Sequence, residues 1–259
     1  VITAGIEYLE HGSGPPVIFL HGIGGGAASF EHQLSSLSGY QCIAINLPGY
    51  GNSVAAPWPP SFASLSASLT NFIEAKGSGP VHLVGQSIGG MLALEHAVRR
   101  PDQVATLTMI AATPSFGGRD ESFKDHFLKA RIAPLKAGKT MAQIATQTAP
   151  LLVGPSTSKQ CIADVEFILT KVSEDTWRGI LECLITFNRR DDLDNITQPC
   201  CLIAGSHDQN SPARTIQKMS EKLSNAQFHL IDGAGHMVNQ EAPELTNRIL
   251  EQFLGKYTG

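Results

Sequence analysis

The chain has 259 residues, of which 42% are hydrophobic and 16% charged, with a formal net charge of −4. That length accommodates one large α/β domain, and the slight negative charge gives no reason to expect nucleic acid or an anionic membrane as partner. No stretch approaches the ~18 continuous apolar residues of a membrane-spanning helix, and the five cysteines form neither a CxxC pair nor a cluster with histidine at zinc spacing.

Cysteine usage of this kind points to a reducing compartment. Residues 1–5 show no basic region followed by an apolar core, so no signal peptide is expected. The expected location is cytoplasmic.

In chain order, residues 6–10 alternate and read as an edge strand, and 12–16 as a turn. Residues 17–20 form a continuous apolar run, the mark of a strand buried on both faces. It ends in His21-Gly22-Ile23-Gly24-Gly25-Gly26, before a predicted helix at 29–37. Residues 42–45 are a second buried strand, ending in the turn-rich Asn46-Leu47-Pro48-Gly49-Tyr50-Gly51-Asn52-Ser53. Leu65, Leu69, Phe72 and Ile73 stand at core spacing in a helix predicted over 61–76. A strand at 81–84 and a helix ended by Pro101 enclose Gly85-Gln86-Ser87-Ile88-Gly89. Strands follow at 104–111, 201–204 and 228–231, with helices at 212–223 and 244–254.

Alternating strands and helices with apolar strands argue a parallel sheet covered on both faces. Residues 114–194 break that rhythm. Helices are predicted at 123–132, 140–149, 158–172 and 176–187, with no strand. A helical insertion between two sheet strands would lie over the strand ends, where ligands bind in open α/β sheets. It reads as a cap, and 1–113 with 195–259 as the core, all in one domain.

A serine with glycine two residues before and two after, on a strand-to-helix turn, is a nucleophile elbow. Close packing around such a turn excludes side chains at the glycines. The three-residue pattern alone is weak, and its partners decide. After 201–204 comes Gly205-Ser206-His207-Asp208, and after 228–231 comes Asp232-Gly233-Ala234-Gly235-His236-Met237. Parallel strands put their C-terminal ends on one side, so Ser87, Asp208 and His236 can meet there. Asp232 competes with Asp208 for the acid, but it lies four residues before His236 and suits a turn-capping role. His82, His96 and His229 fall inside predicted elements and read as structural or surface residues.

With these motifs the chain resembles the α/β-hydrolase superfamily over nearly all its length. The residues carrying the resemblance are His21-Gly22, Pro48 to Ser53, Gly85 to Gly89, Gly205 to Asp208 and Gly233 to His236. The fold class implied is α/β, a mostly parallel central sheet flanked by helices with a helical cap. Within the superfamily it is most similar to small capped carboxylesterases and lactonases, including enol-lactone hydrolases. The implied roles are Ser87 as nucleophile, His236 as base and Asp208 as its orienting acid. The implied oxyanion hole uses the N–H of Ile88 and, from the loop after His21-Gly22, that of Ile23, with Gly24 as its nearest rival. Relatives usually carry Asp where Asn46 stands, so an ion pair common there would be missing here.

The expected partner is a small-molecule ester or lactone, with neither cofactor nor metal. The triglycine 24–26 lacks GK[ST], GxGxxG and an acidic ribose partner, which argues against a phosphate cradle. Hydrolases of C–C bonds in ring-cleavage products share the fold but usually carry Trp where Met237 stands. A ligand receptor with slow turnover is the alternative from another class. Ser87 argues against dehalogenases and epoxide hydrolases, which use Asp. Phe116, Phe123, Phe127, Trp177, Leu184 and Phe187 divide between cap core and pocket lining, with Met237 at the pocket. Arg119, Arg131 and Arg178 are candidate carboxylate binders, none of them assigned.

Overall fold

A computed structural model of the protein describes residues 1–117 and 121–257. The strands are β1 (Ile2–Thr3), β2 (Ile6–His11), β3 (Pro16–Leu20), β4 (Gln41–Ile45), β5 (Val81–Gln86), β6 (Val104–Ile110), β7 (Cys200–Gly205) and β8 (Ala226–Ile231). They form one sheet in the order β1-β2-β4-β3-β5-β6-β7-β8. β3 to β8 are parallel, whereas β2 runs antiparallel to β4 and β1 antiparallel to β2. The strand at 6–10 was expected at the edge, but β1 lies outside it. Two residues are too few to show alternation in a sequence.

The helices are α1 (Glu31–Ser36), α2 (Phe62–Ala75), α3 (Ile88–Arg99), α4 (Glu121–Lys136), α5 (Met141–Leu152), α6 (Lys159–Leu169), α7 (Glu174–Leu184), α8 (Ala213–Ser220), α9 (Val238–Glu241) and α10 (Pro243–Leu254). Alternation along the strands divides the core into two layers. Ile18, Leu20, Ile43 and Leu83 meet Leu65, Leu69 and Phe72 of α2, Leu92 of α3 and Ile216 of α8. Val17, Phe19, Ala44 and Val84 meet Leu34 of α1 with Leu250 and Phe253 of α10. Every residue of β5 is buried, including the polar His82 and Gln86, which find hydrogen-bond partners.

Between β6 and β7 the chain is helical, as α4 to α7. Thr140, Ser158 and Ser173 cap α5, α6 and α7 by accepting the N3 amide. α6 ends at Leu169, before the expected 172, and the Ser173 cap explains why α7 starts two residues before the expected 176. The segments entering and leaving this insertion pair side by side. Phe116 N–H donates to Phe187 O at 2.9 Å, and Arg189 N–H to Pro114 O at 2.8 Å. Arg189 also grips the buried Glu95 of α3, with Nε at 2.6 Å and Nη2 at 2.9 Å. No described helix is long and apolar enough to cross a membrane.

Candidate active site

Ser87 sits between β5 and α3 with φ 55° and ψ −122°. A side chain rarely adopts this backbone region, and holding one there costs on the order of 1–3 kcal/mol. The glycines on either side make the turn possible by allowing close approach. A Cβ on Gly85 would lie 2.2 Å from Gly89 O, and one on Gly89 would lie 2.0 Å from Leu20 O. Ser87 N–H is fixed to Ile110 O at 2.9 Å. The hydroxyl is thereby held above the C-terminal ends of the parallel strands.

The loops after β7 and β8 bring the expected partners to it. His236 Nε2 lies 2.9 Å from Ser87 Oγ, and His236 Nδ1 lies 2.8 Å from Asp208 Oδ2. The other Asp208 oxygen accepts the amides of Asn210 at 2.8 Å and Ser211 at 2.9 Å. The two amides fix the orientation of the carboxyl group. With Oδ2 accepting a hydrogen bond from Nδ1–H, Nε2 is left bare to accept from the serine hydroxyl. The side chain of Asp208 is fully buried.

Asp232, the competing acid, is exposed and accepts from Ser206 Oγ at 3.0 Å. His82 bonds to Thr106 in the sheet, and His96 lies between Ser66 and Gln103. Burial lowers the pKa of both, that of His96 to about 4. His229 Nε2, on β8, is buried without a partner among the described residues.

His21 shapes the loop beside Ser87. Its Nδ1 bonds Gly22 O at 2.8 Å, and its Nε2 accepts Leu47 N–H at 3.0 Å. Burial holds its pKa down at about 4, so it stays neutral and can accept. Tyr50 Oη donates to Ile23 O at 2.7 Å. The amides of Ile23 and Ile88 have no protein acceptor among the described residues. Ile23 lines the cavity beside Ser87, and Ile88 opens α3.

Asn46 uses both ends of its amide. Its Oδ1 accepts Ala27 N–H and its Nδ2 donates to Glu7, each at 2.7 Å. An aspartate here would face the Glu7 carboxylate. The Asn46 amide thus links Ala27 to Glu7, with Asn52 supplying two more donors to Glu7.

A cavity of ≈ 220 Å³ opens on Ser87 and His236 under the helical insertion. Phe116, Phe123, Phe127, Trp177, Leu184 and Met237 all line it. Phe187 does not. It packs on Phe62 of α2 with ring centroids 4.5 Å apart. Arg131 lines the cavity, Arg178 does not, and Arg119 falls outside the described residues. Among the described residues, no three His, Cys, Asp or Glu are grouped to hold a metal ion. Cys42, Cys183, Cys200 and Cys201 are free and buried, with thiols pushed up to about 12. A thiol so protonated is a poor nucleophile.

Two polar residues important to this geometry escaped the sequence reading. Gln86 Nε2 donates to His236 O at 3.0 Å. Glu241 accepts the amides of Gly235 and Met237, which flank His236, and also the amide of Gly154 and the Thr157 hydroxyl from the insertion. Nothing in the sequence marks Glu241. Gln86 stands inside the elbow motif, where its side-chain partner is a matter of tertiary placement. The amides on Asp208 did have a signal, since Asp-Gln-Asn-Ser-Pro is turn chemistry.

Residues 15–243 match the family model described as alpha/beta hydrolase fold. The chain is 25% identical to the (E)-2-((N-methylformamido)methylene)succinate hydrolase of Acinetobacter baylyi, over 96% of this chain and 93% of that protein. Its fold superposes on a thermophilic esterase from Thermogutta terrifontis with TM-score 0.90 at 21% identity, covering 98% of this chain and 94% of that one. It also superposes on the enol-lactonase from Burkholderia xenovorans with TM-score 0.88 at 16% identity, covering 96% of each.

Proposed function

The chain belongs to the α/β-hydrolase fold family, and from that premise we propose that it is a serine hydrolase of small carboxylic esters or lactones. The observation that carries this reading is the hydrogen-bonded row Asp208–His236–Ser87 opening into a mainly apolar cavity. Names among the similar proteins, an esterase and an enol-lactonase, agree with the substrate class.

The chemistry runs in two halves. Ser87 Oγ attacks the substrate carbonyl carbon while His236 Nε2 takes the hydroxyl proton. The carbonyl electrons move to oxygen, and the N–H groups of Ile23 and Ile88 stabilise the resulting oxyanion. Collapse breaks the bond to the leaving alkoxide, which receives the proton from Nε2. The acyl group now sits on Ser87. Water then attacks, His236 takes its proton, and collapse returns that proton to Ser87 as the acid leaves. Asp208 holds the Nδ1 proton and stabilises the imidazolium in both halves. In a lactone the leaving alkoxide stays attached to the acyl group, so one open hydroxy acid is released.

The test is a panel of p-nitrophenyl acetate, aliphatic lactones and vinylogous diketones. The proposal expects a burst of p-nitrophenol followed by steady turnover, and hydrolysis of the lactones. A burst that stalls would indicate a receptor. Turnover confined to the diketones would indicate C–C bond hydrolysis.

A further inference from the structure

One charged group in the cavity has no counter-charge among the described residues. Arg131, on α4, lines it together with Ser87 and His236, and among the described residues no Asp or Glu lines it. Among the described residues no carboxylate pairs with Arg131, whereas Arg99 holds one and Arg100 and Arg189 hold two each. What Arg131 does contact is the ring of Phe127, with the guanidinium carbon 5.3 Å from the centroid. Burial lowers its pKa below that of ordinary arginine. A partly desolvated guanidinium without an anion costs folding free energy. Its five donors fit a carboxylate in bidentate fashion.

The surroundings of Arg131 are apolar. Phe116 packs against Phe127 with centroids 4.7 Å apart and against Phe123 at 5.9 Å. Both Phe116 and Phe127 line the cavity, so an apolar wall adjoins the cation. Such a site suits a ligand with a short hydrocarbon segment ending in an anion.

We propose that Arg131 binds a free carboxylate of the substrate, so that the preferred substrates are monoesters or lactones bearing a second, ionised carboxyl group. For turnover this rests on the hydrolase reading of Ser87, whereas for binding it does not. The carboxylate could belong to the acyl part or to the leaving group, and the two are separable by substrate. Monomethyl glutarate places it on the acyl side, and acetoxyacetate on the alcohol side. Dimethyl glutarate and methyl acetoxyacetate are the neutral counterparts.

The experiment measures kcat/KM for each charged ester over its neutral counterpart, in wild type, Arg131→Met and Arg131→Lys. Wild type should favour one of the charged esters by about 10- to 100-fold, the range of a charge-assisted hydrogen bond. Arg131→Met should collapse that ratio to near one, and Arg131→Lys should restore part of it. In parallel, calorimetry follows free glutarate binding to Ser87→Ala and to Ser87→Ala/Arg131→Met. Binding to the first should exceed binding to the second by at least 10-fold. Thermal midpoints should not fall in Arg131→Met, since a partly buried charge with no carboxylate partner among the described residues is being removed. The proposal is overturned if wild type prefers the neutral esters, if charged and neutral esters lose equally in Arg131→Met, or if glutarate binds both proteins alike. Arg131-dependent glutarate binding without turnover of any ester would sink the hydrolase reading and leave this one standing.

Discussion

Gln86 holds His236 by its backbone, donating from Nε2 to the carbonyl oxygen at 3.0 Å. The contact joins the nucleophile's strand to the loop that carries the base, 150 residues away in sequence. A loop tethered so close to its histidine has little freedom to drift. His236 N–H is held as well, by Leu152 O of the helical insertion at 2.7 Å.

Gln86→Leu, similar in length but without donors, should therefore loosen the histidine. Misplacement of a catalytic group by about 1 Å can cost on the order of 10² in rate. The expected outcome is a kcat lowered about 10- to 100-fold with KM nearly unchanged, measured on p-nitrophenyl acetate. A raised KM at unaltered kcat would mean that Gln86 contacts substrate and does not position His236.

Asp208→Asn should cost about 10⁴ in kcat while the protein stays folded, because the amide favours the wrong histidine tautomer. Asp232→Asn should cost less than about tenfold, since Asp232 bonds Ser206 and not His236. Steady-state kinetics with circular dichroism as the folding control decide this. Reversed losses would make Asp232 the acid.

Trp177 and Phe187 look alike in sequence but should behave differently. Trp177 lines the cavity, while Phe187 packs on Phe62 and is 2% exposed. Phe187→Ala should destabilise by about 3–5 kcal/mol and lower activity on short and long acyl esters alike. Trp177→Ala should change the chain-length profile. Thermal melts and kcat/KM across an ester series separate the two, and identical profiles for both variants would refute the assignment.

Much of this arrangement was legible in the sequence. The buried strands announced themselves as apolar runs, and the order Ser87, Asp208, His236 followed from loops at parallel strand ends. What stayed hidden depends on tertiary contacts. Glu241 acts on four donors from two distant segments, and Arg131 could not be told from a solvated cap arginine without seeing the cavity. Phe187 and Trp177 share the residue type of both core and lining, so composition could not divide them.

Glu95 should shape acid stability. Burial opposes its ionisation, but hydrogen bonds from Arg189 and Arg99 outweigh this and hold its carboxyl below the usual 4.5. A carboxyl depressed in the folded state adds stability that is complete above its unfolded pKa and lost as pH falls through the folded value. The thermal midpoint of wild type should thus drop below pH 4.5 more steeply than that of Glu95→Gln, which should be the less stable protein at pH 7. Parallel pH profiles would contradict the role given to this pair.

The central claim is that Ser87 forms the covalent intermediate, and intact-protein mass spectrometry after treatment with a fluorophosphonate tests it most directly. The account predicts one added phosphonyl group, localised by peptide mapping to Ser87, together with no labelling of Ser87→Ala and a kcat for that variant lowered on the order of 10⁶-fold. Labelling that persists in Ser87→Ala, or maps to another residue in wild type, would contradict it.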